Sequence, residues 1–367
     1  MQLNLLRVQN FRNLEDVELH FSPGFNYLYG ENGAGKTALL EAVALLARGR
    51  SFRSGRTDSQ IRHGQNVVRI AGTVRGSSGI ESDLTWSRQR QPAEVRLSID
   101  GLKAAKRSDV ARRLPLQTVL PDAAELVYGP PANRRAFLDW GLFHVEPSYL
   151  HASANYRQAL QQRNAWLKLQ MGADLKITDD PWLDVLVSHG VKLGEMRSGY
   201  VMGLKTFFQR NLSSLAPSQN VELGYDFGGW DSIENAAKKL GESLSRDVKF
   251  GTTHYGPHRA DLKMMSGGRP AAELLSRGQA KVTASALILA QAEYQLERTG
   301  NRCVILIDDF GAELDAAHWR LFAQRLQELA CQVIVTSTEP PGMTGGLVGE
   351  LGKCELFHVK QGSIEAV

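Results

Sequence analysis

A glycine-rich segment at residues 30–37, GENGAGKT, constrains the fold of this chain more than any other stretch. It fits the pattern G-x-x-x-x-G-K-[ST], and it lies between a β-favourable segment, FNYLY, and an apolar helical segment, ALLEAVALLA. Glycines let backbone N–H groups turn inward around phosphates, the lysine reaches the β- and γ-phosphate oxygens, and the hydroxyl can bind Mg²⁺. We therefore predict a loop that binds ATP and Mg²⁺, formed by Gly30, Glu31, Asn32, Gly33, Ala34, Gly35, Lys36 and Thr37.

A second signal is a short apolar strand that ends in two carboxylates. Residues 304–307, VILI, are followed directly by Asp308 and Asp309, and an unbroken apolar run of this length is typical of a strand buried on both faces. At the carboxyl edge of a parallel sheet, Asp308 is placed to share Mg²⁺ with Thr37, and Asp309 to orient or deprotonate the attacking water. The alternative, a strand that simply ends in a polar turn, is disfavoured by the phosphate loop elsewhere in the chain.

A third signal, SRGQ at residues 276–279, opens a strongly amphipathic helical segment. A serine at a helix N-terminus makes an anion site with exposed N–H groups, although in isolation it is more often an ordinary N-cap. The order along the chain favours the functional interpretation. A phosphate loop, a Ser-x-Gly-Gln helix and then an apolar strand ending in acids are the arrangement of ABC-type ATPases, and motor helicases and kinases do not use it.

The pattern of elements predicts an α/β protein with a split ATPase lobe. Residues 1–116 and 300–367 carry the strand–helix alternation, the phosphate loop, the acidic motif and a small β meander at residues 64–102. Residues 117–299 form a helix-rich second lobe that carries the Ser276 motif. This helical material is too short and lacks the sustained heptads needed for a long coiled coil. Both ends of the chain are needed to close the sheet of the first lobe.

Several segments together resemble the RecF family of bacterial recombination-repair ATPases, which are related to SMC-type heads. The resemblance covers essentially the whole chain, and it is carried by the segments NFRNLEDVELHF, GENGAGKTALLEAV, GRSFRS, NRRAFLDW, GPHRADL, LSRGQAK and LIDDFGAELD. It implies an ABC-type head with an inserted helical lobe and a weak, DNA-dependent ATPase activity. It also implies a cytoplasmic protein of recombinational repair and replication restart.

The resemblance further implies how such a protein is assembled and what it binds. RecF-like proteins form an ATP-dependent, head-to-head homodimer, in which Ser276, Arg277, Gly278 and Gln279 of one chain cap the γ-phosphate held by Lys36 of the other. Asp315 matches the dimer-contacting loop after the acidic motif. The dimer binds duplex DNA near single-strand gaps, with single strands as a further possible ligand, and cooperates with RecR and RecO to load RecA.

Some positions depart from the pattern of ABC transporter subunits. Asp309 stands where transporters usually have glutamate, and a shorter carboxylate suits a slow, switch-like ATPase. After the next strand, Ser337 or Thr338 stands where transporters have histidine, and neither residue titrates near neutral pH. Gln117 is the best candidate for the glutamine that senses Mg²⁺ and the γ-phosphate. His258, in GPHRADL, is interpreted as structural.

Two basic stretches are candidate DNA contacts in a chain whose net charge is only +4. The first follows the phosphate-loop helix, and the second precedes the helical lobe; neither is interleaved with aromatic residues, so contact with the phosphates of duplex DNA is favoured over base stacking. The alternative is a solvated basic loop. The candidate residues are Arg50, Arg53, Arg56, Lys103, Lys106, Arg107, Arg112 and Arg113.

Two other functional classes compete with a DNA-binding switch. A transporter ATPase subunit should carry Ser-Gly-Gly-Gln and a switch histidine, which this chain lacks, and a structural ATP-binding module with negligible turnover stays open. No apolar run is long enough to span a membrane, and no signal peptide is evident. Cys303, Cys331 and Cys354 have no metal-binding spacing and are interpreted as buried, reduced thiols.

Overall fold

The structure is a computed structural model that describes residues 1–53, 57–172, 176–230, 234–309, 315–340 and 354–367. It divides into two compact units. The first comprises Met1–Ala123, Ser214–Ala216 and Ala284–Val367, and the second comprises Ala124–Ser213 and Pro217–Thr283. None of the helices in the described ranges is both long and apolar enough to cross a membrane.

The described residues form strands that belong to three sheets. In chain order the strands are β1 (Gln2–Phe11), β2 (Leu14–His20), β3 (Phe25–Tyr29), β4 (Val67–Arg75), β5 (Glu81–Gln89), β6 (Glu94–Ile99), β7 (Leu102–Lys103), β8 (Leu116–Val119), β9 (Glu222–Asp226), β10 (Asp261–Ser266), β11 (Arg269–Pro270), β12 (Val304–Ile307), β13 (Gln332–Ser337), β14 (Cys354–Lys360) and β15 (Ser363–Ala366).

The described helices lie in both units. In chain order they are α1 (Lys36–Arg48), α2 (Arg107–Arg113), α3 (Glu125–Tyr128), α4 (Pro131–Val145), α5 (Tyr149–Leu169), α6 (Leu183–Leu215), α7 (Ala236–Glu242), α8 (Leu244–Phe250), α9 (Ala271–Leu274), α10 (Arg277–Thr299) and α11 (Ala316–Glu328), with short 3₁₀ turns at Thr57–Gln60 and Ile177–Asp179.

The central sheet of the first unit has the strand order β15-β14-β3-β13-β12-β8. All neighbours are parallel except the β14–β15 pair. Parallel strands need crossover connections, and these bring the carboxyl ends of β3, β8, β12 and β13 to one edge of the sheet. Because β3 lies between β13 and β14, segments from both ends of the sequence complete this sheet, as the sequence predicts.

An antiparallel sheet of order β2-β1-β4-β5-β6-β7 forms the other layer of the first unit. It contains the predicted meander together with an N-terminal two-stranded hairpin. Arg12 has a positive φ angle of 52° in the turn between β1 and β2, and Asn10, within β1, has a positive φ angle of 56°. Both residues read as ordinary strand positions in an alternating pattern, so the pattern alone does not reveal the turn.

Helix α1 is buried in the core of the first unit, together with residues of both sheets. Its residues Leu39, Leu40 and Val43 are fully buried, and each contributes about 1.5–3 kcal/mol to stability through burial. A Cβ atom on Gly72 of β4 would lie 2.6 Å from a methyl carbon of Leu46, so this glycine allows the close approach of α1 to the antiparallel sheet. The core therefore fixes the helix that follows the phosphate loop.

The boundaries of the first unit differ from the predicted breaks after residue 116 and before residue 300. β8 pairs in parallel with β12 in the central sheet, so residues 116–119 belong to the ATPase unit. The C-terminal part of α10 also belongs there, and its Gln291 is hydrogen-bonded to Gln117 of β8. Long-range strand pairing sets these boundaries, and the local composition of the sequence gives no sign of that pairing.

The second unit is helix-rich, as predicted, and it also contains the small sheet β11-β10-β9. Two segments that carry the family resemblance meet inside it. Arg134 of NRRAFLDW makes a two-point ion pair with Asp261 of GPHRADL, with N–O distances of 2.7 and 3.0 Å. Arg135 donates to the carbonyl of Ala260 at 2.9 Å. These two motifs stabilise the second unit by direct contact with each other.

His258 has the structural environment expected from sequence. One ring nitrogen lies 2.7 Å from the hydroxyl of Tyr156, and the other lies 3.0 Å from the carbonyl oxygen of Thr253. Burial lowers the pKa of His258 to about 4. The imidazole is therefore neutral at physiological pH and ties the loop before β10 to α5.

Candidate nucleotide-binding site

The phosphate loop connects β3 to α1 at the carboxyl edge of the central sheet. Gly33 and Gly35 have positive φ angles of 79° and 123°, which L side chains rarely adopt. A Cβ atom on Gly35 would also lie 2.9 Å from the side chain of Leu14. Because α1 begins at Lys36, its first N–H groups have no carbonyl partner within the helix and can bind an anion.

Lys36 lies over the loop and is largely buried. Its ammonium group donates to the carbonyl oxygens of Gly30, at 2.5 Å, and Glu31, at 2.9 Å. Burial lowers the pKa of Lys36, while the nearby carboxylates of Asp309 and Asp308 act in the opposite direction. The loop thus holds a cation at the position where the motif places the β- and γ-phosphates.

Thr37 and Asp308 are in direct contact. The Thr37 hydroxyl donates to Asp308 Oδ1 at 3.0 Å, although the two residues are 271 positions apart. Two oxygen ligands in adjacent positions of an octahedral Mg²⁺ shell, each about 2.1 Å from the ion, are about 3 Å apart. A hydroxyl and a carboxylate at this separation fit a magnesium ion that also binds phosphate oxygens and water.

Asp309 follows Asp308 at the same edge and is partly exposed. Its φ angle of 54° is uncommon for a residue other than glycine. The backbone N–H of Asp309 donates to the Thr336 hydroxyl at 3.0 Å, and this hydroxyl donates in turn to Asp308 Oδ1 at 2.9 Å. A single buried hydroxyl on β13 therefore bonds both acidic residues, Asp308 through its carboxylate and Asp309 through its backbone.

Sequence reasoning missed Thr336. It considered Ser337 and Thr338, which follow in the same segment, as replacements for the histidine of transporter subunits. In the structure Ser337 binds the start of the phosphate loop through its backbone carbonyl, which accepts from Gly30 N–H at 3.3 Å. Thr338 is exposed. The sequence signal for Thr336 is weak, because it is one of three polar residues in the strand QVIVTS and directly follows the apolar run VIV.

The structure does not bring Gln117 to this edge. It lies within β8 opposite Ile305 of β12, whereas Asp308 lies beyond the end of that pairing. Its buried side-chain amide donates to Gln291 Oε1 on α10. Since a strand rises about 3.3 Å per residue, Gln117 is roughly 10 Å along the sheet from the carboxylates. Gln117 has a core hydrogen bond in place of the predicted contact with Mg²⁺.

The turn between β1 and β2 also lies against the phosphate loop, which the sequence did not reveal. The side-chain amide of Asn13 donates to the carbonyl of Gly33 at 3.1 Å. Arg12 makes two hydrogen bonds to the buried carboxylate of Glu41 on α1, one of them at 2.7 Å. This ion pair holds the turn on the helix that begins at the loop. The segment NFRN thus belongs to the site.

The Ser276 motif opens α10, and all four of its residues are exposed. The Ser276 N–H donates to Gln279 Oε1 at 2.9 Å, and Gln279 N–H donates to Ser276 Oγ at 3.3 Å. This reciprocal arrangement is a capping box. A Cβ atom on Gly278 would meet no other atom within 4 Å. The ordinary N-cap considered in the sequence is present, and the surface of the motif is open.

Asp315 is the N-cap of α11. Its carboxylate accepts from the backbone N–H of His318 at 3.0 Å and contacts the His318 ring at 2.8 Å. The backbone hydrogen bond from His318 is the main cause of a lowered pKa for Asp315. The residue is largely exposed, so a contact with another chain and a capping role are compatible.

The two basic stretches converge in the first unit. Arg50 follows the end of α1, and a Cβ atom on the intervening Gly49 would lie 3.3 Å from the side chain of Arg107 on α2. Arg53 is also exposed but lies 3.9 Å from the buried carboxylate of Glu41, which partly neutralises it. The described DNA candidates, all exposed, are Arg50, Arg53, Lys103, Lys106, Arg107, Arg112 and Arg113. Arg56 lies outside the described residues.

Comparisons with known proteins identify relatives of the whole chain. Residues 2–349 match the family description of the RecF/RecN/SMC N-terminal domain. The DNA replication and repair protein RecF of Pseudomonas entomophila (strain L48) is 40% identical over 364 residues, covering 99% of this chain and 98% of that protein. RecF of Pseudomonas syringae pv. syringae (strain B728a) is 39% identical with the same coverage.

Solved structures agree with these relatives. A structure of the recombination mediator protein RecF with ATP, from the RecFOR pathway, has a TM-score of 0.86 and 25% identity, and covers 100% of this chain and 97% of that one. An Smc head domain with an extended coiled coil, from Pyrococcus furiosus, has a TM-score of 0.61 and 16% identity, and covers 100% and 95%. The fold is thus the α/β, ABC-type fold of SMC heads, as predicted.

Proposed function

This chain belongs to the RecF family of DNA replication and repair proteins, and on that premise we propose that it is an ATP-driven clamp or switch on duplex DNA near single-strand gaps. Two copies bind head to head around two ATP molecules, and slow, DNA-stimulated hydrolysis separates them. The RecF structure solved with ATP supports ATP as the nucleotide, and its RecFOR pathway supports RecR and RecO as partners. Loading of RecA at the gap is the proposed outcome.

The observation that carries the proposal is the contact between Thr37 and Asp308 at the carboxyl edge of the central sheet. It joins the phosphate loop to the acidic strand across most of the sequence, and it places two oxygen ligands at a spacing that suits Mg²⁺. Bound there with ATP, the ion supplies charge neutralisation for the phosphates. Thr37 and Asp308 hold it.

Lys36 and Asp309 supply the remaining functions of the proposed site. The Lys36 ammonium now donates to two carbonyls of its own loop, and phosphate oxygens of ATP can replace these neutral acceptors with charged ones. Asp309 is partly exposed beside Asp308 and is fixed through its backbone by Thr336. It can therefore accept a hydrogen bond from a water molecule aligned with the γ-phosphate.

The Ser276 motif supplies the proposed dimer contact. Its four residues are exposed at the N-terminus of a 23-residue helix, where backbone N–H groups favour an anion. In the head-to-head dimer this end caps the γ-phosphate bound to Lys36 of the other copy. Each ATP site is then complete only when two chains meet, so nucleotide binding and dimerisation are linked.

ATP turnover tests the catalytic part of the proposal. Lys36→Arg should abolish hydrolysis because the bulkier guanidinium does not fit the buried position of the ammonium. The matched control is Lys360→Arg, the same exchange at an exposed residue at the end of β14. Hydrolysis should be measured with and without duplex DNA. Absence of any DNA-stimulated turnover in the unmodified chain favours the competing hypothesis of a structural ATP-binding module.

Molecular mass in solution tests the shared site. Ser276→Arg should leave ATP binding intact and prevent the ATP-dependent dimer, because a long cation enters the space of the second chain's phosphate. Ser78→Arg, at an exposed turn of the antiparallel sheet, is the matched control. Light scattering with ATP decides between the outcomes. A dimer of normal stability in the Ser276 variant excludes the sandwich arrangement.

A further inference from the structure

Two of the three cysteines lie side by side at the edge of the central sheet opposite to the phosphate loop. β12 and β13 pair in parallel with Val304 opposite Gln332, so the preceding residues, Cys303 and Cys331, are neighbours in the same register. Neighbouring strands are about 4.8 Å apart, and disulfides join Cα atoms about 4.4–6.8 Å apart. The backbone therefore holds these thiols at a separation that an S–S bond can span.

The two thiols interact with each other, and this interaction shifts their pKa values in opposite directions. The neighbouring Cys331 thiol raises the pKa of Cys303 well above its usual value, with burial acting in the same direction. The Cys303 thiol lowers the pKa of Cys331, and the positive charge of Arg302 adds to this effect while burial opposes it. Cys331 is thus the better nucleophile, and Cys303 is a protonated neighbour within reach.

A cavity gives access to one member of the pair. It has a volume of about 720 Å³, and its wall includes Met1, Gly24, Phe25, Arg302, Ala330 and Cys331. Cys303 does not line it and is only 1% exposed, while Cys331 is 4% exposed. Cys331, unlike Cys303, is therefore the member of the pair that borders a space that a small, uncharged oxidant can enter.

We propose that Cys331 and Cys303 form a peroxide-sensitive dithiol, with Cys331 as the attacking thiol and Cys303 as the resolving thiol. Redox-sensing cysteines combine thiolate character, access and a resolving partner. The Cys331 thiolate attacks one peroxide oxygen, the O–O bond breaks, and the released oxide takes up a proton to leave as water or an alcohol. Cys331 becomes a sulfenic acid.

The second step closes the disulfide. Cys303 sulfur attacks the sulfur of the sulfenic acid, an S–S bond forms and the S–O bond breaks, and the leaving hydroxide takes the Cys303 proton to form water. Overall, two thiols are oxidised to one disulfide, and one peroxide is reduced. The bond links the amino ends of β12 and β13, far from Thr37 and Asp308. The modification is therefore independent of the proposed ATPase activity.

Peptide mapping after peroxide treatment tests this inference on the intact, folded chain. Hydrogen peroxide is added, excess is removed, and the protein is unfolded in an alkylating agent so that each remaining thiol is labelled. Labelling should fall from three thiols to one, with a linked Cys303–Cys331 peptide that dithiothreitol releases. Cys354 is the internal control, because it is the most exposed of the three and burial raises its pKa to about 11.

Single substitutions separate the two roles. Cys331→Ala should leave Cys303 fully labelled after peroxide, Cys303→Ala should leave a Cys331 sulfenic acid that dimedone captures, and Cys354→Ser should behave as the unmodified chain. The inference is overturned if Cys354 is oxidised before the pair, or if peroxide yields no Cys303–Cys331 link. Both of these outcomes are read on the unmodified chain, so they hold even when a variant fails to fold.

Discussion

Replacing Thr336 with valine is expected to destabilise the protein and to slow ATP turnover, because one hydroxyl holds the carboxylate of Asp308 and the backbone of Asp309. The hydroxyl donates to Asp308 Oδ1 and accepts from the backbone N–H of Asp309. Thr336 is fully buried, so water does not easily replace these bonds. Valine has nearly the same shape as threonine, and the exchange therefore removes two hydrogen bonds without leaving a cavity.

The magnitude follows from the two bonds. A hydrogen bond to a charged group contributes about 1.5–3 kcal/mol, and a neutral bond contributes about 1 kcal/mol. Asp308 keeps the donor from Thr37, and Asp309 is partly exposed, so its N–H can find water. We expect a loss of about 2–3 kcal/mol in the free energy of unfolding. Without the bond, Asp309 can relax from its unfavourable positive φ, and a shift of about 1 Å costs roughly 100-fold in rate.

Urea unfolding and ATP turnover measure the two effects on the same variants. Thr336→Ser keeps the hydroxyl and should retain most of both properties. Thr338→Val makes the identical exchange two residues later at an exposed position, and it should change the free energy of unfolding by less than about 0.5 kcal/mol. The turnover measurement also depends on the proposed ATPase function, whereas the unfolding measurement does not.

Two results would refute this reasoning. If Thr336→Val unfolds at the same urea concentration as the unmodified chain, the hydroxyl contributes no net stabilisation to Asp308 and Asp309. If the valine and serine variants lose turnover equally while only valine loses stability, the hydroxyl does not position the carboxylates for chemistry.

Three further predictions address other parts of the chain. Replacing His258 with glutamine should make the free energy of unfolding less dependent on pH in acid. The pKa of His258 is lowered in the folded state to about 4, so the unmodified chain loses up to about 1.4 kcal/mol of this free energy per pH unit as pH falls from about 6.5 to 4. Urea unfolding across this range measures the difference between the two chains. Asp315→Ala should lower the free energy of unfolding by about 1 kcal/mol because it removes the N-cap of α11. Asp315→Ser keeps the cap. A contact role for Asp315 is therefore supported only if light scattering shows a dimer defect in both variants. The double change of Arg50 and Arg107 to alanine should reduce the slope of log affinity for duplex DNA against log salt concentration by about 2. An unchanged slope in a salt titration excludes this surface as a DNA contact.

The parts of the fold that the sequence predicts are those that depend on local patterns. The segment FNYLY, the phosphate loop and α1 are contiguous, and their order and spacing define them. Likewise, VILI is a buried strand, as expected. Each of these features is decided within about a dozen residues.

The parts that the sequence does not predict depend on which strands become neighbours. Thr336 bonds Asp308 and Asp309 because of the register in which β13 pairs with β12. Gln117 does not reach them because it pairs with Ile305, two residues before the end of β12. Similarly, the ion pair of Arg12 with Glu41 depends on the packing of α1 against the hairpin. A one-residue shift of register would exchange the face of every side chain, and no local pattern fixes this choice.

The position of β3 between β13 and β14 also determines how late in synthesis the central sheet can be completed. The strand that leads into the phosphate loop ends at residue 29, and its nearest sheet neighbour begins at residue 332, which is 303 residues later. At about 5–20 residues per second, the ribosome needs roughly 15–60 seconds to supply that neighbour. During this interval β3 has no neighbour on that side and the buried residues of α1 lack part of their core, so the nucleotide-binding edge is completed only when almost the whole chain has been made.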